Sequence, residues 1–275
     1  MIDLLRLCRL YYAVPMGLTF TLTVCYAQGA AQAMASASTV LATLALILVL
    51  AGAYIINDVC DLPVDRINAP HRSLASDKVH PRTAAKLAVA LLAAAMLSAA
   101  FCRPPFMLAL GVVAIGLVVY NLWSKRLGIG KQLLVAALMT CIYPLSLAQA
   151  GGATSRRAWT LAVFPVWMFL SSFGYEILKD LRDLEGDLAI HIPTWLSRRP
   201  QRARRVAQIA LLAGAAVLPA PYGLGCGGIY LAVVTLAIAA AIAATQLPVR
   251  RAINAVYLEF VIVGIAATTD LVAGG

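Results

Sequence analysis

Nine stretches of about twenty mostly apolar residues run through this chain, each long enough to cross the hydrocarbon core of a bilayer as a helix. Of the 275 residues, 62% are hydrophobic and only 12% are charged, whereas a soluble domain carries about 25% charged residues. A soluble core does not bury that much apolar surface, so the sequence predicts an all-α, polytopic membrane bundle of about nine helices. The predicted spans are 10–28, 39–57, 83–101, 104–122, 131–150, 159–178, 206–222, 226–247 and 252–272.

The basic residues are distributed unevenly between the two ends of these spans. With the N-terminus inside, 19 of the 22 Lys and Arg residues fall in cytoplasmic loops, and only Arg103, Arg156 and Arg157 fall outside. Loops rich in Lys and Arg stay in the cytoplasm, so the pattern predicts a cytoplasmic N-terminus and an external C-terminus. The net charge of +10 is explained by anionic membrane lipids and anionic substrates, and the sequence gives no indication of nucleic-acid binding.

The polar stretches between the spans are too short for a separate soluble domain. We therefore interpret residues 1–275 as a single membrane-embedded domain. The two longest polar stretches, 58–82 and 179–205, exceed simple connections between helices, and long loops are often functional. We expect both to cap the cytoplasmic mouth of the bundle.

Eight of the twelve acidic residues gather at the cytoplasmic ends of the second and sixth spans. They are Asp58, Asp61, Asp65, Glu176, Asp180, Asp183, Glu185 and Asp187. The first motif reads NDVCDLPVD over residues 57–65, and the second reads KDLRDLEGD over residues 179–187. Both place aspartates at i, i+3 and i+7, which lie on one face of an α-helix. Acidic residues at membrane depth are costly and indicate a functional site.

Carboxylates packed so closely repel one another unless a cation lies among them. Hard cations take oxygen ligands, and Mg²⁺ combines carboxylates with water and substrate phosphate oxygens. Two facing carboxylate stripes therefore predict a site that holds a diphosphate through bridging Mg²⁺. The predicted metal ligands are Asn57, Asp58, Asp61, Asp65, Asp180, Asp183 and Asp187. Pro63 and Gly186 predict that the regular helix ends near Cys60 and near Glu185.

The two motifs lie 122 residues apart, from position 58 to position 180, and each follows an even-numbered span. A pattern that recurs at a fixed spacing suggests an internal repeat. We expect two four-helix halves, residues 1–122 and 123–250, followed by a ninth helix.

Basic side chains near the motifs are candidates for binding a leaving diphosphate, whose charge grows as its bond to carbon breaks. The predicted diphosphate-binding residues are Asn57, Arg66, Arg72, Tyr120, Lys125 and Lys179. Arg126 and Lys131 are interpreted instead as basic anchors on the cytoplasmic side. Tyr120 fits two roles equally well, an interfacial aromatic residue or a residue that lines the site.

The two motifs and their separation resemble those of the UbiA-type membrane prenyltransferase family. The first family motif, NDxxDxxxD with a following Asn and an Arg-Pro pair, is matched at Asn57, Asp58, Asp61, Asp65, Asn68 and Arg72. The second, KDxxDxEGDxxxGxxT, is matched at Lys179, Asp180, Asp183, Glu185, Gly186, Asp187 and Thr194. The chain departs from the family at Ser73, in place of proline, and at His191, in place of glycine. The stretch from Tyr120 to Lys125 is similar to a third family element, so the resemblance covers nearly the whole chain.

This resemblance implies a nine-helix bundle whose central cavity opens toward the lipid. It implies a polyprenyl diphosphate bound with Mg²⁺ under the cytoplasmic cap, and a lipophilic acceptor that attacks the allylic cation. The acceptor would be of the aromatic, quinone or glyceryl-phosphate type, and the EGD form of the second motif is closer to homogentisate, chlorophyll and geranylgeranylglyceryl phosphate enzymes. The predicted catalytic residues are Asp61, Asp65, Asp183, Asp187 and Lys125. Trp167 suits both packing and cation–π stabilisation of the cation.

Three other functions stay open at this point. A membrane terpene cyclase of the same fold would ionise the diphosphate and capture the cation with the prenyl chain itself, without an acceptor. A transporter also suits repeats and acids within the membrane, although acids at span ends beside long loops disfavour it. A lipid-phosphate sugar transferase fits the motifs less well.

Overall fold

The computed structural model describes residues 2–123, 127–154, 158–184, 188 and 195–273. Within these residues, nine helical spans are long and apolar enough to cross a membrane, which confirms the predicted all-α bundle. The spans are Leu10–Gln28, Ala37–Cys60, Pro81–Ala99, Pro104–Trp123, Gly130–Ala150, Thr160–Arg182, Pro200–Gly223, Gly228–Gln246 and Val249–Ala273. We number them from first to ninth in this order.

Several spans are longer than the apolar segments that predicted them. The second extends to Cys60, and the seventh begins at Pro200, six residues before the predicted start. The first turns of the seventh span contain Arg202, Arg204 and Arg205, which lower the hydropathy but do not interrupt backbone hydrogen bonding. Apolar composition therefore locates the part of a helix that lies in lipid, and the backbone continues beyond it.

Short helices flank the spans at the end of the bundle that contains the two motifs, here called the motif end. Ile2–Leu7 precedes the first span, Leu62–Asn68 follows the second, and Trp195–Arg198 precedes the seventh. Pro63 lies in the first turn of Leu62–Asn68, where its missing N–H costs nothing. The second span accordingly ends at Cys60 as predicted.

The second and sixth spans end in the same way. Asp61 follows the second span with φ −93° and ψ 5°, and Asp183 follows the sixth with φ −91° and ψ 6°. Both values fall in the sparsely populated bridge region, where many active-site residues are found. The sixth span thus ends at Arg182, three residues earlier than the predicted limit near Glu185.

Six spans form a ring around a central cavity. In order around the ring they are the first, second, fourth, fifth, sixth and ninth, and each contacts its neighbours. The third span packs outside the second, while the seventh and eighth pack outside the sixth and ninth. The two spans that carry the motifs are therefore inner helices, and their motif ends meet at one mouth of the cavity.

Two glycines permit close packing of the inner spans on the outer ones. A Cβ on either glycine would lie within 3.2 Å of a leucine side chain and of a carbonyl oxygen in the next span. The contacts are Leu92 and Ala88 for Gly52, and Leu211 and Ala207 for Gly174. Gly52 and Gly174 are 122 residues apart, the same separation as that of the motifs.

We expect the Gly174→Ala substitution to destabilise the bundle. The new methyl group would lie 2.9 Å from Leu211 Cγ and 3.1 Å from the carbonyl oxygen of Ala207, and overpacking of this kind costs about 1–3 kcal/mol. Thermal unfolding of the purified protein in detergent measures the effect.

Gly264→Ala in the ninth span is the matched control, because its Cβ would meet nothing within 4 Å. Alanine is the better helix former, so this variant should unfold at the wild-type temperature or slightly above it. Equal melting temperatures for the two variants would contradict close packing at Gly174.

Candidate active site

The central cavity has a volume of about 1040 Å³ and is lined by residues of all six ring spans. Its lining at the motif end is polar and charged: Arg9, Asn57, Arg72, Tyr120, Glu176, Lys179 and Arg182. Away from this end the walls become mostly apolar, with side chains such as Leu50, Leu117, Met139 and Phe164. A cavity of this kind matches a ligand with an anionic head and a long hydrocarbon tail.

The cavity opens on one side, between the first and ninth spans. Tyr11 and Leu18 of the first span, with Val261 and Ile265 of the ninth, line the cavity and are also exposed. The opening lies at the height of the bilayer, since these residues belong to membrane spans. A lipophilic substrate can therefore enter from the lipid without crossing water.

Arginines neutralise the buried aspartates of the first motif. Asp58 is only 4% exposed, accepts a hydrogen bond from Arg9, and lies 3.7 Å from Nη1 of Arg72. The same Nη1 lies 2.6 Å from both carboxylate oxygens of Asp65. Burial raises the pKa of the Asp65 carboxyl, and its hydrogen bond with Arg72 acts in the opposite direction. Arg72 is thus fixed at the cavity mouth by two acids.

Asn57 and Asp61 interact across one helical turn. The Asn57 side chain donates a hydrogen bond from Nδ2 to Asp61 Oδ2 at 2.9 Å. Asp61 occupies the bend between the second span and the helix Leu62–Asn68. The Asp65 N–H donates to the Asp61 carbonyl oxygen at 2.8 Å across this bend, so Asp61 and Asp65 stay one helical turn apart.

In the second motif, Asp180 is held by two residues of the fifth span. Lys131 Nζ donates to Asp180 Oδ1 at 2.6 Å, and Gln132 Nε2 donates to Oδ2 at 2.6 Å. Gln132 also accepts a hydrogen bond from Trp195 Nε1 at 3.3 Å. The structure thus gives Lys131 a specific acidic partner, in contrast to its interpretation as a basic anchor. The sequence around Lys131 does not predict this ion pair, because the two residues are 49 positions apart.

The segment that follows the first motif contacts the second motif directly. Asn68, which follows the first motif, donates from Nδ2 to the backbone carbonyl of Asp183 at 2.9 Å. The Asp183 carboxylate accepts two hydrogen bonds from Arg182, from Nε and Nη2, both at 2.7 Å. Lys179 donates to Glu176 at 2.7 Å. Asn68, matched only through the family motif, therefore connects the two halves of the site.

A second and smaller cavity, here called the side cavity, adjoins the central one. Its volume is about 440 Å³, and Arg72 and Arg182 line both cavities. Its lining residues are Asp65, Asn68, Ala69, His71, Arg72, Arg182, Asp183, Arg250, Ile253 and Asn254. One aspartate from each motif thus borders the same polar space.

The structure brings together most of the residues predicted for the site. Asn57, Arg72, Tyr120 and Lys179 line the central cavity, so Tyr120 takes the site-lining role. Lys125 and Asp187 lie outside the described residues.

Arg66 is the exception among the predicted diphosphate-binding residues. Its side chain is 55% exposed and pairs with Asp77 at 3.0 Å. It is not among the residues that line either cavity. Arg66 thus lies apart from the side chains that line the two cavities, whereas Arg72, six residues later, lines both.

The residues of the site fit a divalent metal by their chemistry. Asp65 and Asp183 border one cavity, Asn57 borders the adjoining one, and all three offer the oxygen ligands that Mg²⁺ prefers. Within the described ranges, no group of three or more His, Cys, Asp or Glu side chains is close enough to hold a metal ion, and the aspartates pair with Arg, Lys or amide groups instead.

Glu259 is an acidic residue outside the motifs that also affects the cavity. Its Oε1 accepts hydrogen bonds from Trp167 Nε1 at 2.6 Å and from Ser171 Oγ at 2.8 Å, and the side chain is fully buried. Trp167 lines the cavity, and Phe260 packs edge-on against it at 5.6 Å. The indole ring is therefore held in one orientation on the cavity wall. The sequence signal for this contact is an acidic residue within an apolar span.

We expect Lys131→Met to lower the rate of the reaction at this site. The substitution leaves the Asp180 carboxylate short of its cationic donor, and a charge-assisted hydrogen bond contributes about 1.5–3 kcal/mol, so kcat/KM should fall roughly tenfold to a hundredfold. Steady-state kinetics in detergent measure the change.

Asp180→Asn in the same background provides the internal check. Removing both charges should lower kcat/KM by much less than the two single substitutions would together, because the two residues act as a pair. If the two losses in kcat/KM add, the ion pair does not contribute to the reaction.

Comparison with known proteins identifies relatives along most of the chain. The family model of the UbiA prenyltransferase family matches residues 18–260. A digeranylgeranylglyceryl phosphate synthase from Metallosphaera sedula is 33% identical over 193 residues, which cover 70% of this chain and 67% of the relative.

Two solved structures show the same fold. A UbiA homologue from Aeropyrum pernix K1 superposes with a TM-score of 0.77 at 18% identity, covering 95% of this chain and 97% of that one. A UbiA homologue from Archaeoglobus fulgidus, bound to GPP and Mg²⁺, superposes with a TM-score of 0.67 at 16% identity, covering 98% and 99%.

Proposed function

Because this chain belongs to the UbiA prenyltransferase family and is an intramembrane prenyltransferase, we propose that it transfers a polyprenyl group from a polyprenyl diphosphate to a glyceryl-phosphate acceptor, with Mg²⁺ as its metal. The observation that carries the proposal is the central cavity, which has a charged motif end and a long apolar body. The acceptor class is supported by the name of the Metallosphaera sedula relative. The metal is supported by the Archaeoglobus fulgidus homologue bound to Mg²⁺.

The diphosphate of the donor would lie at the motif end of the central cavity. Arg72, Lys179 and Arg182 supply positive charge there, and arginine forms paired hydrogen bonds with phosphate oxygens. Asp61, Asp65 and Asp183, together with Asn57, would hold Mg²⁺. When bound, this ion neutralises the charge that grows on the diphosphate as its bond to carbon breaks.

Asp58 and Asp180 have a different role in this proposal from Asp61, Asp65 and Asp183. Asp65 and Asp183 line the side cavity, and Asp61 accepts a hydrogen bond from the cavity-lining Asn57. Asp58 and Asp180 line neither cavity. Asp58 instead pairs with Arg9 and Arg72, and Asp180 with Lys131 and Gln132. We assign them as positioning residues that orient Arg72 and the start of the second motif. We also assign Asp187 and Lys125 as catalytic residues, because they match the family motifs.

The apolar body of the cavity would hold the prenyl tail and exclude water. Phe164 and Trp167 lie on its wall, where aromatic faces stabilise a nearby cation by cation–π attraction. Water exclusion lets the allylic cation survive until the acceptor hydroxyl oxygen forms the new bond to carbon and releases its proton, with diphosphate as the leaving group.

Asp61→Ala and Asp183→Ala should each abolish prenyl transfer. Removing one group that stabilises developing charge typically lowers kcat by about 10²–10³, and these two residues end the two motif spans. The assay uses purified protein with Mg²⁺, geranylgeranyl diphosphate and a panel of glyceryl-phosphate, quinol and phenolic acceptors, with diphosphate and products followed by mass spectrometry.

Arg66→Ala is the matched control, because this arginine lies in the same segment and pairs with Asp77 at the surface. Its rate should stay close to that of the wild type. Near-normal activity in either aspartate variant would refute the assignment of the site. Diphosphate release without any acceptor, giving a cyclised product, would instead support a terpene cyclase.

We also propose that the motif end, with the N-terminus, faces the cytoplasm and that the C-terminus lies outside. The support is the concentration of 19 of the 22 Lys and Arg residues on the motif side. A cysteine added after Gly275 should react with a membrane-impermeant maleimide in intact cells. Labelling only after the cells are lysed would show the opposite orientation, with the C-terminus inside.

We further propose that the single domain 1–275 contains two related halves, 1–122 and 123–250, followed by the ninth span. Asp61 and Asp183 end their spans with nearly identical backbone angles, and Gly52 and Gly174 make equivalent contacts. Superposing the halves should place both pairs on one another, and a different register for either pair would contradict the repeat.

A further inference from the structure

Two polar side chains of the ninth span line the side cavity together with residues of both motif segments. Arg250 and Asn254 lie one turn apart at the start of this span, and neither belongs to the residues assigned to the donor. Both side chains are exposed. Neither forms a hydrogen bond or ion pair with the part of the chain that the structure describes.

The charges around the side cavity leave one cation without a partner among the described residues. Arg72 and Arg182 each form an ion pair with a motif aspartate, Asp65 and Asp183, and all four are assigned above to the donor diphosphate and its metal. Arg250 is the remaining arginine in the lining. A small polar space with an unmatched guanidinium, an amide and an imidazole from His71 fits an anion with several acceptor oxygens, such as a phosphate monoester.

The ninth span connects this cavity with the central one. Arg250 and Asn254 face the side cavity, while Tyr257 and Val261 line the central cavity. Their spacing of i, i+4, i+7 and i+11 places all four on one face of the helix. The same face borders the opening to the lipid, where Val261 is exposed. A molecule lying along this face would have its head in the side cavity and its tail at the opening.

We propose that the side cavity binds the phosphate group of the acceptor through Arg250 and Asn254. The acceptor tail then lies against Tyr257 and Val261. Since Arg72 and Arg182 border both cavities, the glyceryl hydroxyl of the acceptor reaches the junction beside the donor diphosphate. This inference rests on the proposed function, because it requires a phosphorylated acceptor.

Arg250→Ala tests the proposal against Arg251→Ala. The two arginines are neighbours in the first turn of the ninth span and both are exposed, but only Arg250 is among the cavity-lining residues. KM is measured for an isoprenoid glyceryl phosphate and for geranylgeranyl diphosphate. Arg250→Ala should raise the acceptor KM about tenfold or more, as expected for a lost charge-assisted bond to phosphate, and leave the donor KM within about twofold. Arg251→Ala should change neither.

A second acceptor that lacks the phosphate group separates phosphate recognition from other effects. With the isoprenoid glycerol alone, wild type and Arg250→Ala should have equal acceptor KM values. The proposal would be overturned if Arg250→Ala raised the acceptor KM equally for both acceptors. It would also be overturned if Arg250→Ala and Arg251→Ala changed the acceptor KM equally. A rise in the donor KM alone would assign the side cavity to the donor diphosphate instead.

The wild-type protein distinguishes failure of this inference from failure of the proposed function. If the wild type prenylates quinols or phenols but no glyceryl phosphate, the proposed acceptor class is wrong and this inference is overturned with it. If the wild type prenylates the glyceryl phosphate and Arg250→Ala behaves as wild type, the proposed function stands and only the assignment of the side cavity is wrong.

Discussion

The contact between Arg72 and the first-motif aspartates is the interaction on which the site depends. Acidic residues at the ends of membrane spans are stable only when their charge is balanced, and removing one partner of a buried pair leaves an uncompensated charge. Arg72 balances Asp65 directly and approaches Asp58, which Arg9 also neutralises. The same arginine borders both cavities. One side chain thus stabilises the fold locally and presents positive charge to an anionic substrate.

The second motif uses different partners for the same purpose. Lys131 and Gln132 come from the fifth span, and Gln132 also accepts a hydrogen bond from Trp195 of the short helix Trp195–Arg198. Asn68, at the end of the helix Leu62–Asn68, donates a hydrogen bond to the backbone carbonyl of Asp183. The mouth of the cavity is therefore a connected polar network between inner helices, and ionic chemistry is confined to one end of an otherwise apolar bundle.

Hydropathy predicts much of this fold, and where the prediction fails there is a physical reason. Apolar segments located all nine spans, because lipid demands helices whose backbone groups are satisfied internally. They placed the start of the seventh span six residues late, since Arg202, Arg204 and Arg205 are helical despite their charge. The i, i+3, i+7 spacing identified the acids, and Pro63 and Gly186 predicted that neither helix continues through its motif. The spacing did not show that Asp65 and Asp183 line the same cavity. It also did not show that Arg72 lines this cavity while Arg66 pairs with Asp77 at the surface.

The sequence by itself determined the membrane bundle, the two acidic motifs and the resemblance to prenyltransferases, because these depend on composition and on local spacing. Only the tertiary structure decided which charges meet. Lys131 and Asp180 are 49 residues apart, Asn68 and Asp183 are 115 apart, and Trp167 and Glu259 are 92 apart. Arg250 reaches the side cavity only because the ninth span closes the ring beside the first. Such contacts depend on how helices pack around a common cavity, and no local pattern along the chain records that arrangement.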